Sequence, residues 1–277
     1  MAEEISREFS DNDVSFLIET INPRLMAKKG MIRSHLSLIE EMLDQHNEKL
    51  FERIISMEEE EMLIKISPRL LFEILLRKTA RVLNRESYML ERVGRQLIPI
   101  FETMKASEFL AQKAVLTYLA EMLSSFTKIE SFTFPIRVKG RVWRKLRFND
   151  MDIDSLISFC QVVDEEYRFG FYKRIADACL FILGIFPEYV TAQYRYPLSG
   201  QIRPSIAGQK PKAPEEYERE GKKFYQLAAE HPFAQMMNLE GTLNELAENF
   251  NLAKKPLNFI ADYYLQFKRR RIFHFDA

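Results

Sequence analysis

Four kinds of residue in this chain have the chemistry for a site: histidines, cysteines, one carboxylate inside an apolar run, and clustered arginines and lysines. His35, His46, His231 and His274 stand on separate segments, with no HExxH and no second imidazole three or four residues on. The spacing that puts two ligands on one helix face around zinc is therefore absent. His231, followed by Pro232, has the character of a helix-end residue favoured by the dipole. Cys160 and Cys179 each sit among apolar residues and form no CxxC pair, so they read as free, buried thiols of a reducing compartment. GxSxG, a Walker A loop and GxGxxG do not occur either. No metal and no cofactor are expected.

From Ala176 to Phe186 the chain reads ADACLFILGIF, and Asp177 is the single charge in it. Burial raises a carboxylate's pKa unless a cation or hydrogen bonds hold the charge. Arg174, three positions earlier, is a candidate partner. Asp177 is then either half of a buried ion pair that fixes helix register, or the acid of a catalytic site.

The first basic cluster holds Arg137, Lys139, Arg141, Arg144, Lys145 and Arg147, with Trp143 and Phe148 interleaved and no acid before Asp150. Guanidinium groups beside an aromatic ring suit phosphate contact and base stacking. The same charges on an edge hairpin would also guard it against stray strand pairing. The second cluster is Lys268, Arg269, Arg270 and Arg271, suited to a helix C-terminus, to phosphate or to an acidic partner. Residues 243–265, LNELAENFNLAKKPLNFIADYYL, have the outline of a helix-turn-helix. Leu257, Phe259, Ile260, Tyr263, Tyr264 and Leu265 make the second helix too apolar to read base edges, so a core αα-hairpin is expected, with Pro256 in the first turn of that helix.

The elements that must position these groups are mostly helical. The chain has 277 residues, 47% of them hydrophobic and 29% charged, enough for a substantial core. Its 40 basic and 40 acidic side chains cancel, which excludes a globally basic nucleic-acid binder but leaves local patches open. Phenylalanine, at 22 against one tryptophan, points to an aromatic core. The start, MAEEISREFSDNDVSF, is acidic where a signal peptide is basic and then apolar. As a helix the 176–186 run would span only about 16 Å, against the roughly 30 Å of a bilayer core. No membrane partner and a cytoplasmic location are expected.

Periodicity predicts a helix capped by Asp13 and stopped by Pro23, a second through Met31, Leu36, Ile39, Met42 and Leu43, and a third through Leu50 and Ile54. Ser67-Pro68 starts a longer helix whose polar face carries Arg77, Lys78, Arg81 and Arg85. Further helices are expected from Ser107 to Phe126, from Asn149-Asp150, over 165–186, from Pro214 to His231, and over 239–250 and 253–266. Two hairpins are expected, one between Ser87 and Phe101 turning near Val93-Gly94, the other over 129–148 turning at Lys139-Gly140. Residues 191–214, with four prolines, two glycines and no acid, read as a long flexible loop. The expected fold is mainly α: a single helical domain of about eight to ten helices with one or two small β-hairpins. Residues 1–66 form an N-terminal helical extension and 67–277 the main domain.

The blocks YMLERVGRQLIPIFE, VLTYLAEMLSSFTK, RIADACLFILGIFPEY, YEREGKKFYQLAAEH and LNELAENFNLAKKPLNFIADYYL, in that order, resemble a group of uncharacterised bacterial proteins over roughly residues 67–265. The resemblance implies one continuous domain there and brings no activity, cofactor or site residue with it.

The leading functional expectation is a cytoplasmic interaction or regulatory module that binds another protein. The alternatives are nucleic-acid binding through the hairpin at 137–148, helped by Arg269, Arg270 and Arg271, and an enzyme with a carboxylate site near Asp177.

Overall fold

The structure is a computed structural model that describes residues 9–93, 96–128, 131–138, 142–149, 152–188, 190, 212–266 and 268–273. It is mainly α, with two small two-stranded sheets. The expected flexible loop at 191–214 falls outside the described residues, except for Lys212, Ala213 and the helix that begins at Pro214. The chain divides into two compact units, Met1–Met89 with Phe101–Ser124, and Leu90–Ile100 with Ser125–Ala277. This division crosses the 66/67 boundary drawn from the sequence.

The first unit holds α1 (Asp11–Ile21), a 3-10 turn (Pro23–Lys28), α2 (Lys29–Ser34), α3 (Leu36–Gln45), α4 (Asn47–Ser56), α5 (Glu59–Lys65), α6 (Pro68–Leu83), α7 (Thr103–Ala111) and the bulk of α8 (Lys113–Ser125). Its core forms on α6, where Leu70, Leu71, Phe72, Ile74, Leu75 and Leu76 are all buried. The expected cap at Ser67 is present, its Oγ accepting from the Leu70 N–H at 3.2 Å. Asp13, in contrast, is not the cap of α1. Ser10 is, and Asp13 answers it in a capping box, accepting from the Ser10 N–H at 2.9 Å. The other Asp13 oxygen accepts from the Ser67 N–H at 2.7 Å, so one sealed carboxylate serves the starts of two helices.

Several helices break where the sequence runs on. The helix expected through Met31 and Leu36 stops at His35, because Ser34 Oγ and His35 Nδ1 both turn back to the Met31 carbonyl, at 2.9 and 2.8 Å. Met31 and Leu36, expected inside, are exposed. Ser107 is not a cap either; it lies inside α7 and donates to the Ala80 carbonyl at 2.8 Å. The chain then bends at Gln112. In an unbroken helix the buried stripe through Ala106 and Leu110 would run on to Lys113; the bend turns Lys113 out to pair with Glu40.

In chain order the strands are β1 (Met89–Val93), β2 (Gln96–Ile100), β3 (Ser131–Val138) and β4 (Val142–Asn149), pairing as β1–β2 and β3–β4. The expected turn residues Gly94, Lys139 and Gly140 lie outside the described residues. In the second unit follow α9 (Ile153–Cys160), α10 (Arg168–Ile185), α11 (Pro214–Glu230), α12 (Pro232–Met236), α13 (Glu240–Glu248), α14 (Phe250–Phe259), a π-helical turn (Ile260–Leu265) and α15 (Lys268–Ile272). The α9 cap is Asp152, not Asn149 or Asp150; it accepts from the Ser155 N–H at 3.2 Å, while Asn149 closes β4. Pro256 is an interior residue of α14, not part of its first turn. It removes one ladder donor, and the helix runs on to Phe259 before passing into the π turn at Ile260.

Helix α10 is the hub of this unit, buried from Ile175 to Ile185 and packed by α9, α11 and α14. Two glycines permit that packing. A Cβ on Gly184 would lie 2.7 Å from Leu257 Cβ, and one on Gly221 would lie 2.4 Å from the Phe250 ring.

Candidate functional site

Asp177 is 1% exposed on the hub helix. Its Oδ2 accepts from Lys173 Nζ at 2.7 Å and its Oδ1 from the Tyr225 hydroxyl of α11 at 2.8 Å. The partner expected at Arg174 is thus one residue away from the real one. Lys173, one helical turn back, shares the face of Asp177. Arg174 points elsewhere, donating to Ser125 Oγ at 2.7 Å with its guanidinium 3.6 Å above the Phe126 ring. A carboxylate held by an ammonium and a phenol, with each oxygen already accepting, is fixed in place. That is the chemistry of a register lock.

The end of the same helix is served just as fully. Asn258 Nδ2 donates to the carbonyls of Leu183 and Gly184 at 2.9 and 2.8 Å, and Arg269 Nη1 donates to that of Ile185 at 2.9 Å. These are the orphan acceptors of the last turn. Arg269 also pairs with Glu188 and lies over the Phe186 ring. So the second basic cluster is divided: Arg269 is part of the hub helix's C-terminal cap, while Arg270 and Arg271 are exposed. The basic face of α6 is likewise answered from within its own unit. Arg77 pairs with Glu73 and Asp44, Lys78 with Glu48, and Arg81 donates to the Asp44 carbonyl. Burial pulls the Arg77 guanidinium down, but Glu73 and Asp44 outweigh it and hold the group above its ordinary value.

The hairpin β3–β4 sorts the remaining basic residues by register. Antiparallel pairing sets Thr133 against Arg147, Pro135 against Lys145 and Arg137 against Trp143. The alternate pairs are Phe132–Phe148, Phe134–Leu146, Ile136–Arg144 and Val138–Val142. Directly opposed residues share a face, so one face of the ribbon gathers Arg137, Trp143, Lys145 and Arg147, and the other is apolar apart from Arg144. Of the six basic candidates, the register therefore brings three together with the tryptophan and places Arg144 on the opposite side; Lys139 and Arg141 lie outside the described residues. Pro135 has no N–H to give to the ladder, which an edge strand tolerates.

His231 joins α11 to α12, its Nδ1 accepting from the Phe233 N–H at 3.2 Å and its Nε2 donating to the Glu165 carbonyl at 3.0 Å. Both ring nitrogens are so engaged, and the residue caps α12 at its start as well as closing α11. His35 and His46 sit at helix ends, and His274 lies outside the described residues. No group of three His, Cys, Asp or Glu suited to a metal occurs among the described residues. Both thiols are free and buried. Burial pushes the Cys160 thiol up to about 11 and the Cys179 thiol higher still. Among the described residues no helix is long and apolar enough to cross a membrane.

Tyr225, Asn258 and Lys173 are the residues that sequence reasoning missed. Only Lys173 left a linear signal, four positions before Asp177. Comparison with family models, with curated proteins and with solved structures found no match.

Proposed function

We propose that this chain is a binding protein that engages single-stranded nucleic acid with the basic face of β3–β4. The observation that carries the reading is the register, which gathers Arg137, Lys145 and Arg147 around Trp143 on one side of a ribbon. Cations that track a phosphate backbone beside an aromatic that stacks a base are the general means of holding a single strand. Other basic groups favour this assignment by being occupied: those of α6 serve acids of their own unit, and Arg269 serves α10. The sealed Asp177 supports a structural role there over an acid catalyst. A cytoplasmic setting fits two free, buried thiols.

Binding to another protein is the second reading. Tyr88, Phe101 and Met104 favour it: all three are exposed, and the two rings lie 6.1 Å apart.

The test is fluorescence polarisation of a labelled single-stranded oligonucleotide of about 20 nucleotides, longer than one site. Three phosphate contacts predict a loss of affinity of about twentyfold between roughly 50 and 200 mM salt. The Arg137→Ala, Lys145→Ala, Arg147→Ala triple variant should lose binding, and Arg144→Ala, on the other face, should keep it. No binding at low salt, or equal losses from both variants, would refute the assignment.

A further inference from the structure

Two surfaces of the first unit are apolar and oppositely charged, and neither is used by the ribbon reading. From Thr20 to Ile39 the chain has no acid, and it exposes Met26, Met31 and Leu36. Lys29 and Arg33 of this stretch are spent on Asp11. Arg24 and Lys28 are exposed and have no ion pair among the described residues. The other surface begins with Glu58–Glu61 and continues on α5, where Leu63 is exposed and Ile64 is 75% exposed. Glu61 is spent on Lys65, at 2.6 Å; Glu58 and Glu60 are exposed and have no ion pair among the described residues. Acids before a helix N-terminus are favoured by the dipole. That accounts for the glutamates but leaves the bare isoleucine one turn later without a reason.

We propose that these two surfaces meet between two copies of this chain. The match is one of charge and of apolar character together: two unspent cations beside flexible methionines, two unspent acids beside Leu63 and Ile64. Methionine side chains adapt to whatever is pressed on them, which suits a surface that takes an aliphatic knob. Both surfaces flank the same helix, since α5 and the segment of the 3-10 turn and α2 each pack on α1. The contact can therefore be made twice about a two-fold axis, each copy giving α5 and receiving α5, and the assembly closes as a dimer.

Sedimentation of the full chain gives the test. The mass of two copies is expected at low salt, moving toward one copy as salt rises. Arg24→Glu with Lys28→Glu should weaken self-association at least tenfold, and so should Glu58→Lys with Glu60→Lys. Mixing the two reversed variants should restore a one-to-one pair, since each reversed surface now faces its complement. A chain that is misfolded by substitution would not be rescued in this way, and circular dichroism of each variant checks its fold directly. A chain that stays monomeric at every concentration, or reversed variants that remain apart on mixing, overturns the proposal and leaves these surfaces to a different protein.

Discussion

Replacing Asp177 by Ala removes a sealed carboxylate that accepts from two donors. The Tyr225 hydroxyl is fully buried, so leaving it unbonded costs about 1–3 kcal/mol. Breaking a buried ion pair costs about 3–5 kcal/mol when the surviving charge is trapped. Lys173 is not trapped: its side chain is 24% exposed and can turn its ammonium to water, which discounts that term heavily. A net loss of about 2–4 kcal/mol follows. Asp177→Asn keeps an acceptor for Tyr225 and should lose only about 1–2 kcal/mol. Tyr225→Phe should fall in the same range, and combining it with Asp177→Ala should cost less than the sum, because the phenol is then no longer stranded. Urea unfolding followed by circular dichroism measures all four, with the midpoint read at constant slope. If Asp177→Ala shifted stability by less than about 0.5 kcal/mol, the surface value, the register lock would be refuted.

Asn258→Ala should lose about 1–3 kcal/mol in the same assay, since two helix-end carbonyls lose their donor. Asn258→Asp should cost more at neutral pH, where a carboxylate would face two acceptors, with the gap narrowing as acid returns a proton to it. Asp13→Ala should cost about 2–4 kcal/mol by releasing the Ser10 and Ser67 amides together; a loss no larger than that of an exposed aspartate would contradict the shared-cap geometry. Burial raises the Cys160 thiol from its ordinary value of 9.0 to about 11, so the folded state keeps a proton that the unfolded state releases. Its contribution is complete below pH 9.0 and is lost as pH rises toward about 11. The alkaline limb of the stability profile should therefore be shallower in Cys160→Ala than in the parent chain. Titration with a thiol reagent at mildly alkaline pH should label neither cysteine until urea is added.

What was legible in the sequence is what neighbouring residues decide. Ser67-Pro68 starts α6 because the cap and the proline act within one turn, and the period-two alternation of 131–149 writes the ribbon before any partner is known. The apolar run at 176–186 marks the hub because no helix so apolar on every side can face water. Groups that meet only after the chain has folded left no such mark. Tyr225 reaches Asp177 across 48 positions, and Asn258 is one asparagine among many until the end of α10 is set beside it. The breaks at His35 and Gln112 carry neither proline nor glycine; one is made by local side-chain bonds to a carbonyl, the other by the need to keep Lys113 out of a buried stripe. Arg174 and Lys173 both precede Asp177 by about one turn, and spacing alone does not say that a ring lies under Arg174.

The cap on α10 has a consequence for the order in which the protein is made. The carbonyls of Leu183, Gly184 and Ile185 are synthesised 75, 74 and 84 residues before the side chains that satisfy them. At about 5–20 residues per second, the hub helix emerges several seconds ahead of its own finishing groups. Through that interval its most apolar stretch has no complete end and no α14 to cover Gly184. Closing the end of α10 therefore waits on chain made later, and the apolar run leaves the ribosome without its last cap.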